Sequence, residues 1–509
     1  MSAHPLLLTN VRLPQPPAGT DDAVRAGLPD YPLSTAPLQD VLLRHGVVDA
    51  VAPAGQVSRN GVEVHDLDGR FLLPGLWDHH VHFSQWTIQQ QRLDLSATAS
   101  AADVLALVRG AIIRHEGGPL VGYGFRDGLW PDTPSTEALD AHSGSVPVIL
   151  ISGDLHCAWA NTAGQQLLQI TPDDGGLVRE DAWFPALERL QNLTEVTTSQ
   201  YQQVAEAAAR RGVVGIVEFE NTDNLTAWPL RAQAGVESLR VEVSIWPDYL
   251  DAAVARGVKT GDPLDERGLV TVGPLKVIAD GSLNTRTAWC WDPYPGMDAA
   301  HPHACGMATV PLDQLQQTMA TAHSAGIAAA IHAIGDRANT AVLDAFEALG
   351  MTGVIEHAQL LRDEDIPRFA ALGLAASVQP EHAMDDREVA DAYWAGRTGR
   401  AFALRSLHEA GAELRLGSDA PVSPLDPWVA MAAATTRTRG DREPWHPEQA
   451  IPMEVALASS TRGRTRVRVG DAADLAVVER DPYLCTGDQL RTMPVAATLL
   501  GGRYTWFDL

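Results

Sequence analysis

Lysine, cysteine and net positive charge are all scarce in this 509-residue chain. Only Lys259 and Lys276 are lysines, so 36 of the 38 basic residues are arginines. A net charge of −26 argues against a nucleic acid or an anionic membrane as partner, because both need a basic face. The four cysteines lack the paired spacing of a cysteine-based zinc site and suit a reducing compartment: Cys157, Cys290, Cys305 and Cys485.

Long apolar segments are missing as well. No run of about 18 apolar residues occurs, and the first residues hold no basic segment followed by an apolar core. We therefore expect neither a membrane span nor a secretory signal, and we predict a cytoplasmic protein. Hydrophobic residues make up 45% of the chain, which is ordinary for a globular protein.

The two ends of the chain share one sequence pattern. Short apolar runs separated by Pro, Gly and Asp occupy residues 1–70 and 465–509, and they predict short strands. The predicted strands are Leu6–Val11, Val41–Leu43, Val47–Val51, Val62–Leu67, Arg466–Val469, Leu475–Val478, Ala496–Leu500 and Arg503–Phe507. The simplest assembly joins both ends in one small discontinuous β-sandwich domain.

The central residues, 71–464, alternate apolar runs with helical segments, the pattern of an α/β protein with parallel strands. Ten candidate strands lie there: 72–82, 119–124, 146–152, 213–219, 239–246, 274–279, 327–333, 353–357, 374–379 and 413–418. Two of them fall within about 88–205, which we interpret as an insertion after the first strand. The remaining eight predict a (β/α)8 TIM-type barrel.

The first barrel strand ends in a pair of alternating histidines. His80 and His82 are two residues apart, so they can point together at one cation, whereas His79 is out of phase and faces away. Imidazole nitrogen suits Zn, Fe, Co or Mn. Taken alone, the pair is also compatible with two ordinary surface or core histidines.

Three later strands end in further ligand-type residues. His332 and His357 each lie near the C-terminal end of an apolar strand, where the active sites of barrels form. Asp419 follows the last strand at the same rim. A buried carboxylate needs a partner, and a metal ion is a suitable one. The four histidines and the aspartate together predict one metal-binding site.

Lys276 lies inside the apolar strand 274–279 of a chain that otherwise uses arginine. A desolvated, neutral amine can react with carbon dioxide to form a carbamate, whereas guanidinium stays protonated and cannot. The two carbamate oxygens can bridge two cations. The alternative is a lysine that extends to the rim or pairs with Asp280.

These features together resemble the amidohydrolase superfamily. The resemblance rests on the Pro-Gly-X-X-Asp-X-His-X-His start at Pro74, the lysine within a strand, the two single histidines and the Gly-Ser-Asp end at Asp419. Four segments are similar to the branch that includes N-substituted formamide deformylases: Lys276–Ala288, His332–Ala338, Ile355–Gln359 and Ser377–His382.

The resemblance implies a binuclear centre of two divalent ions, most simply zinc. It gives one ion to His80, His82 and Asp419 and the other to His332 and His357, with carboxylated Lys276 bridging them. It also implies hydrolysis of an amide or formamide C–N bond of a small molecule by a metal-bridged hydroxide, with Asp419 as general acid and base. One departure is Val217-Glu218 on the second strand, where relatives often carry His-Asp.

Six residues are predicted to contact the substrate: Gln379, His382, Asp280, Arg286, His156 and Trp130. An ester, lactone or phosphoester hydrolase with the same site is the first alternative function. A non-catalytic assembly protein is the second, but such a protein should lack several ligands and this chain keeps all six. A homo-oligomer is compatible with every one of these functions.

Overall fold

A computed structural model describes residues 4–16, 36–115, 117–125, 127, 130–152, 157–173, 176–193, 196–298 and 300–509. The strands within these residues are β1 (Leu6–Arg12), β2 (Leu38–Arg44), β3 (Val47–Pro53), β4 (Glu63–Asp66), β5 (Phe71–Pro74), β6 (Leu76–Val81), β7 (Leu93–Asp94), β8 (Leu120–Phe125), β9 (Val148–Ser152), β10 (Cys157–Ala160), β11 (Leu177–Arg179), β12 (Val213–Glu218), β13 (Arg240–Ile245), β14 (Val270–Ile278), β15 (Ala329–Ala333), β16 (Gly353–His357), β17 (Ala375–Val378), β18 (Glu413–Leu416), β19 (Leu475–Val478), β20 (Val495–Leu500) and β21 (Arg503–Phe507).

The helices are α1 (Phe83–Gln90), α2 (Ala101–Ile112), α3 (Thr136–Ser143), α4 (Thr162–Leu168), α5 (Glu180–Leu193), α6 (Thr198–Ala209), α7 (Asn224–Gln233), α8 (Pro247–Arg256), α9 (Leu312–Ser324), α10 (Asp336–Leu349), α11 (Ile366–Leu372), α12 (His382–Tyr393), α13 (Leu404–Glu409), α14 (Pro427–Thr436), α15 (Met453–Ser459) and α16 (Gly487–Arg491). Short 3₁₀ turns occur at Thr398–Arg400, Pro447–Gln449 and Pro482–Leu484. Among the described helices, none has both the length and the apolar character needed to cross a membrane.

Strands β6 and β12 to β18 form one parallel sheet in the order β18-β17-β16-β15-β14-β13-β12-β6. The sheet curls back on itself, because Val81 pairs with Ala420 just beyond β18 and the His82 N–H donates to the Ala420 carbonyl at 2.9 Å. This arrangement confirms the predicted eight-stranded barrel. Helices follow most of its strands, as α10 follows β15.

Helix α10 illustrates how the outer helices pack. Its buried residues Ala338, Val342, Ala345 and Phe346 recur three to four positions apart, so they lie on one face of the helix. Burial of a side chain as large as the phenylalanine contributes about 1.5–3 kcal/mol. The helix ends at Gly350, whose φ of 58° is a left-handed conformation that glycine adopts without a steric penalty.

The two ends of the chain meet in one mixed sheet, in the order β21-β20-β19-β5-β1-β2-β3, with β4 paired to β1. The predicted first barrel strand, 72–82, is divided between this sheet (β5) and the barrel (β6) at Gly75. A Cβ atom at Gly75 would stand 2.4 Å from Val214, so only glycine allows the chain to pass here. The predicted strand Arg466–Val469 is wrong, because these residues do not form a strand: a turn begins at Arg468, closes on Asp471 and leaves Val469 exposed.

The chain divides into two compact units, one of Met1–Gln85 with Tyr201–Leu509 and the other of Trp86–Gln200. The second unit contains its own five-stranded sheet, in the order β11-β10-β9-β8-β7. Its core includes Val108, Leu120, Val148 and Trp159. It is the insertion that the fold prediction placed after the first barrel strand.

Candidate metal centre

The barrel brings the predicted ligands to the C-terminal ends of its strands. His80 lies near the end of β6, His332 near the end of β15 and His357 at the end of β16, while Asp419 follows β18. His80, His357 and Asp419 offer ligand atoms that all lie within 4.8 Å of one another. Residues more than 330 positions apart in sequence are thus placed around one point.

The carboxylate of Asp419 lies close to three histidine rings. Its Oδ1 lies 3.5 Å from His80 Nε2 and 3.4 Å from His82 Nε2, and its Oδ2 lies 3.9 Å from His382 Nε2. Burial would raise the pKa of Asp419, but His80, His82 and His357 outweigh burial and hold this pKa well below its usual value. The carboxylate is therefore ionised across the neutral pH range, the form that binds a cation and accepts a proton.

Two of the histidines are oriented by a second hydrogen bond. The Nδ1–H of His80 donates to Glu356 Oε2 at 2.6 Å, and the Nδ1–H of His357 donates to Gln379 Oε1 at 2.8 Å. Each bond fixes the tautomer and leaves the Nε2 lone pair free to bind a metal ion. Burial lowers the pKa of His80 to about 4, so its ring is neutral.

Two residues of the centre have strained backbone conformations. His357 has a φ of 71° and Asp419 a φ of 56°, although neither is a glycine. Such conformations cost about 1–3 kcal/mol each and occur preferentially at functional sites. At His357 the positive φ ends β16 and turns the chain, so Glu356 and His357 both contact the centre instead of facing opposite sides of the strand.

His332 lies on the side of the centre next to β14. Its ring centroid is 4.5 Å from that of His357, and its Nε2 lies 3.4 Å from Asp280 Oδ1. Asp280 itself is fully buried and accepts hydrogen bonds from the backbone N–H groups of Trp289, Ile334 and Gly335. Asp280 therefore anchors the loops around His332.

Lys276 is a buried amine without a hydrogen-bond partner among the described residues. Only 1% of its surface is exposed, and its Nζ stands 4.5 Å from the centre of the Phe219 ring. Burial lowers the pKa of Lys276, which favours the neutral amine. This unpartnered nitrogen beside three imidazoles and two carboxylates fits a ligand that becomes anionic on carboxylation, and the set as a whole fits divalent cations.

The other predicted substrate contacts are scattered. His382 stacks on His357 with ring centroids 6.2 Å apart and lies beside Asp419. Arg286 is exposed, with its guanidinium 5.0 Å from the Tyr393 ring. Trp130 belongs to the inserted unit, where it packs on Phe125. His156 lies outside the described residues.

Two buried carboxylates of the centre were missed by reasoning from the sequence. Glu356 holds His80, and Asp78 Oδ1 accepts the backbone N–H groups of His80 and Ser418 at 3.2 and 2.9 Å. Asp78 thereby ties the strand that bears His80 to the loop that bears Asp419. Both stood beside predicted ligands in the sequence, but only the folded chain shows which atoms they contact.

Glu356→Gln should weaken metal binding about 10–100-fold while the fold is retained, because the His80 Nδ1–H loses its anionic acceptor. Competition with a chromophoric chelator would measure the affinity. Glu347→Gln, a similar change at an exposed position of α10, is the matched control. Equal affinities in the two variants would show that Glu356 does not position His80.

The sequence is similar to known proteins along most of its length. The model of the Amidohydrolase family matches residues 63–505, which include every residue of this centre. The chain belongs to the amidohydrolase family. Members of this family are metal-dependent hydrolases of small molecules, so a divalent metal ion is implied for this chain.

Individual relatives are distant but cover nearly the whole chain. The protein Long After Far-Red 3 of Arabidopsis thaliana is 27% identical over 503 residues, which is 89% of this chain and 84% of that protein. The N-substituted formamide deformylase of Arthrobacter pascens is 25% identical over 522 residues, with shares of 91% and 94%. The crystal structure of an uncharacterized metal-dependent hydrolase from Pyrococcus horikoshii has a TM-score of 0.75 at 25% identity and covers 95% of this chain and 99% of its own.

Proposed function

We propose that this amidohydrolase cleaves an amide or formamide C–N bond of a small molecule at a binuclear metal centre. The observation that carries the proposal is the position of Asp419, whose two oxygens stand within 4 Å of His80, His82 and His382. The similarity to a formamide deformylase over 91% of the chain supports the bond type.

The ligand roles follow from the family resemblance and the donor set. His80, His82 and Asp419 would hold one ion, His332 and His357 the other, and a carbamate on Lys276 would bridge them. Zinc suits such a mixture of imidazole and carboxylate donors. When bound, the ions lower the pKa of a water molecule and polarise the carbonyl group that it attacks.

The residues of the chain carry the protons and the orientation. Because Asp419 is ionised, it can accept a proton from the attacking water and later deliver this proton to the leaving nitrogen. Glu356 and Gln379 hold the rings of His80 and His357 through Nδ1, which keeps both Nε2 atoms aimed into the centre. His382, whose buried Nε2 has no hydrogen-bond partner among the described residues, can donate to the substrate carbonyl oxygen.

A panel of matched substrates would test the bond type. Formamides and amides should be hydrolysed, whereas esters, lactones and phosphoesters with the same substituents should be poorer substrates. A preference for the oxygen compounds would assign the same centre to a different hydrolase class. The Asp419→Asn variant serves as the blank, because any cleavage that it leaves unchanged comes from a contaminant.

Removal of the metal should abolish hydrolysis. The purified protein should carry up to two divalent ions per chain, because His80, His82, His332, His357 and Asp419 are predicted to converge at the C-terminal rim of the barrel. Dialysis against a chelator should lower activity in proportion to the metal lost, and re-addition of zinc should restore it. Elemental analysis beside the activity assay measures both, and full activity in a metal-free sample would contradict the mechanism.

We also propose a cytoplasmic location. No disulfide joins cysteines within the described part of the chain, and Cys157 and Cys290 are buried. Free thiols persist in a reducing compartment, where no disulfide is needed for stability.

A further inference from the structure

The barrel contains an internal cavity of about 450 Å³. It begins at the N-terminal ends of the strands, beside Thr352, Gly373 and Glu413, and it extends inward as far as Glu356 and Phe219. Barrel interiors are normally filled by layers of branched side chains. Here several lining positions carry small residues, among them Ala329, Gly353 and Ala375, and space remains between the strands.

The cavity reaches the level of Lys276. Lys276 is in register with Ala330, Ala330 with Val354, and Val354 with Ala375. Val354 and Ala375 line the cavity, and so does Phe219, whose ring contacts the Lys276 Nζ. The inner end of the cavity is therefore separated from the amine by little more than one aromatic ring.

The metal-binding donors stand on the opposite side of the amine. His332 is in register with Ile278, two residues closer to the C-terminal rim than Lys276. His357 and Asp419 lie at strand ends on that same rim. A molecule that enters at the C-terminal rim must pass these donors to reach Lys276. A molecule in the cavity approaches Lys276 from the N-terminal ends of the strands.

The mouth of the cavity does not suit an ion. Its two arginines are already paired, Arg415 with Glu413 at 2.7 Å and Arg462 with Glu242. Farther in, the lining is mostly apolar, with Val217, Val354 and Ala375, but it also carries neutral Ser377 and the Glu356 carboxylate. An anion would lose its hydration without gaining a free cation, whereas a small uncharged molecule meets little resistance.

We infer that this cavity is the path by which carbon dioxide reaches Lys276, an inference that rests on the carbamate of the proposed function. The lone pair of the neutral amine attacks the carbon of carbon dioxide and forms the N–C bond. One C–O π bond breaks, and its electron pair becomes the carboxylate charge. The nitrogen then loses one proton to solvent, so the reaction consumes no other reagent.

Variants of Val354 would test the path, because this residue lines the cavity and is not among the predicted metal ligands. The metal-loaded enzyme is moved into ¹³C-labelled bicarbonate, and ¹³C NMR follows the labelled carbamate. Val354→Phe should slow labelling by at least about tenfold, an added barrier of about 1.4 kcal/mol, and Val354→Ala should accelerate it. Ala375→Val, a smaller filling of the same cavity, should slow labelling by less.

Ile355→Val is the matched control, since Ile355 is buried on the same strand but does not line the cavity. It should label at the wild-type rate. Melting temperature and metal content show that each variant is folded and loaded. Equal labelling rates across the Val354 variants would overturn the path while leaving the proposed function intact. Absence of any carbamate signal in the active, metal-loaded wild type would overturn both the bridge and the path.

The chemical form of the label gives a second check. Freshly dissolved ¹³C-carbon dioxide should label Lys276 faster than the same amount of ¹³C-bicarbonate during the time before the two forms equilibrate. This difference should shrink in Val354→Phe. Faster labelling by bicarbonate would contradict an uncharged guest and would point to the charged C-terminal rim as the entrance.

Discussion

Asp419→Asn should keep the barrel folded but lower turnover by about 10²–10⁴-fold, the range that general acid–base catalysis contributes. The amide has nearly the same shape as the carboxylate, so packing is preserved. It cannot accept the proton of the attacking water, because a neutral amide oxygen is a very weak base. Steady-state kinetics with a formamide or amide substrate would measure the loss.

Because Asp419 is also proposed as a metal ligand, metal content must be measured beside turnover. If occupancy falls, excess zinc should refill the site without restoring turnover, which separates the two roles of the carboxylate. Asp313→Asn, in the exposed first turn of α9, is the matched control and should change neither quantity. An Asp419→Asn enzyme with normal turnover and normal metal content would rule out this residue as the acid–base group.

Periodicity explains why so much of the fold was predictable. Apolar runs of strand length alternate with helical segments, and each run identified in the central region forms a strand. Alternation along β6 also explains the histidines, because His80 faces the centre while His79 turns away and donates its Nδ1–H to the Leu416 carbonyl. A pattern of period two is preserved in the folded strand, so it can be interpreted from the sequence alone.

Boundaries and partners depend on contacts across the fold, which no local pattern contains. Gly75 divides one apolar run between two sheets because Val214, distant in sequence, leaves no room for a side chain. Gln379 is predicted to contact substrate, and the fold adds a partner that the sequence did not reveal, because its amide oxygen accepts the His357 Nδ1–H. The contact of Glu356 with His80 likewise joins residues that are far apart in sequence.

Glu218 is a second residue whose role could be recognised only from its contacts in the folded chain. It belongs to the Val217-Glu218 pair that departs from the family pattern, and a carboxylate on a barrel strand is a possible metal ligand in its own right. In the fold, its Oε1 accepts the backbone N–H groups of Phe83 and Glu220, and its Oε2 accepts the Trp228 Nε1–H. Burial raises the pKa of Glu218 to about 7, and its hydrogen bonds tie loops together beside the barrel.

Lys276→Arg should be nearly as damaging as Lys276→Ala, because both variants lose the carbamate oxygens that would bridge the ions. Arginine keeps the positive charge and much of the length, so a residue needed only as a cation would tolerate it. Guanidinium cannot form the carbamate under these conditions because it stays protonated. It would also bring a fixed charge next to donors that must bind cations, and metal content should fall in this variant.

Activity and metal content of the two variants should be measured side by side. Lys259→Arg is the control, because Lys259 is the only other lysine of the sequence and is exposed in the loop after α8. Added formate or acetate should partly restore the alanine variant, since a short carboxylate fits the space left by the lysine and supplies two bridging oxygens. It should not restore the arginine variant, where that space is filled. An active, metal-loaded Lys276→Arg enzyme would show that the bridge comes from another residue. Glu356, which already contacts His80, would then be examined before Glu218.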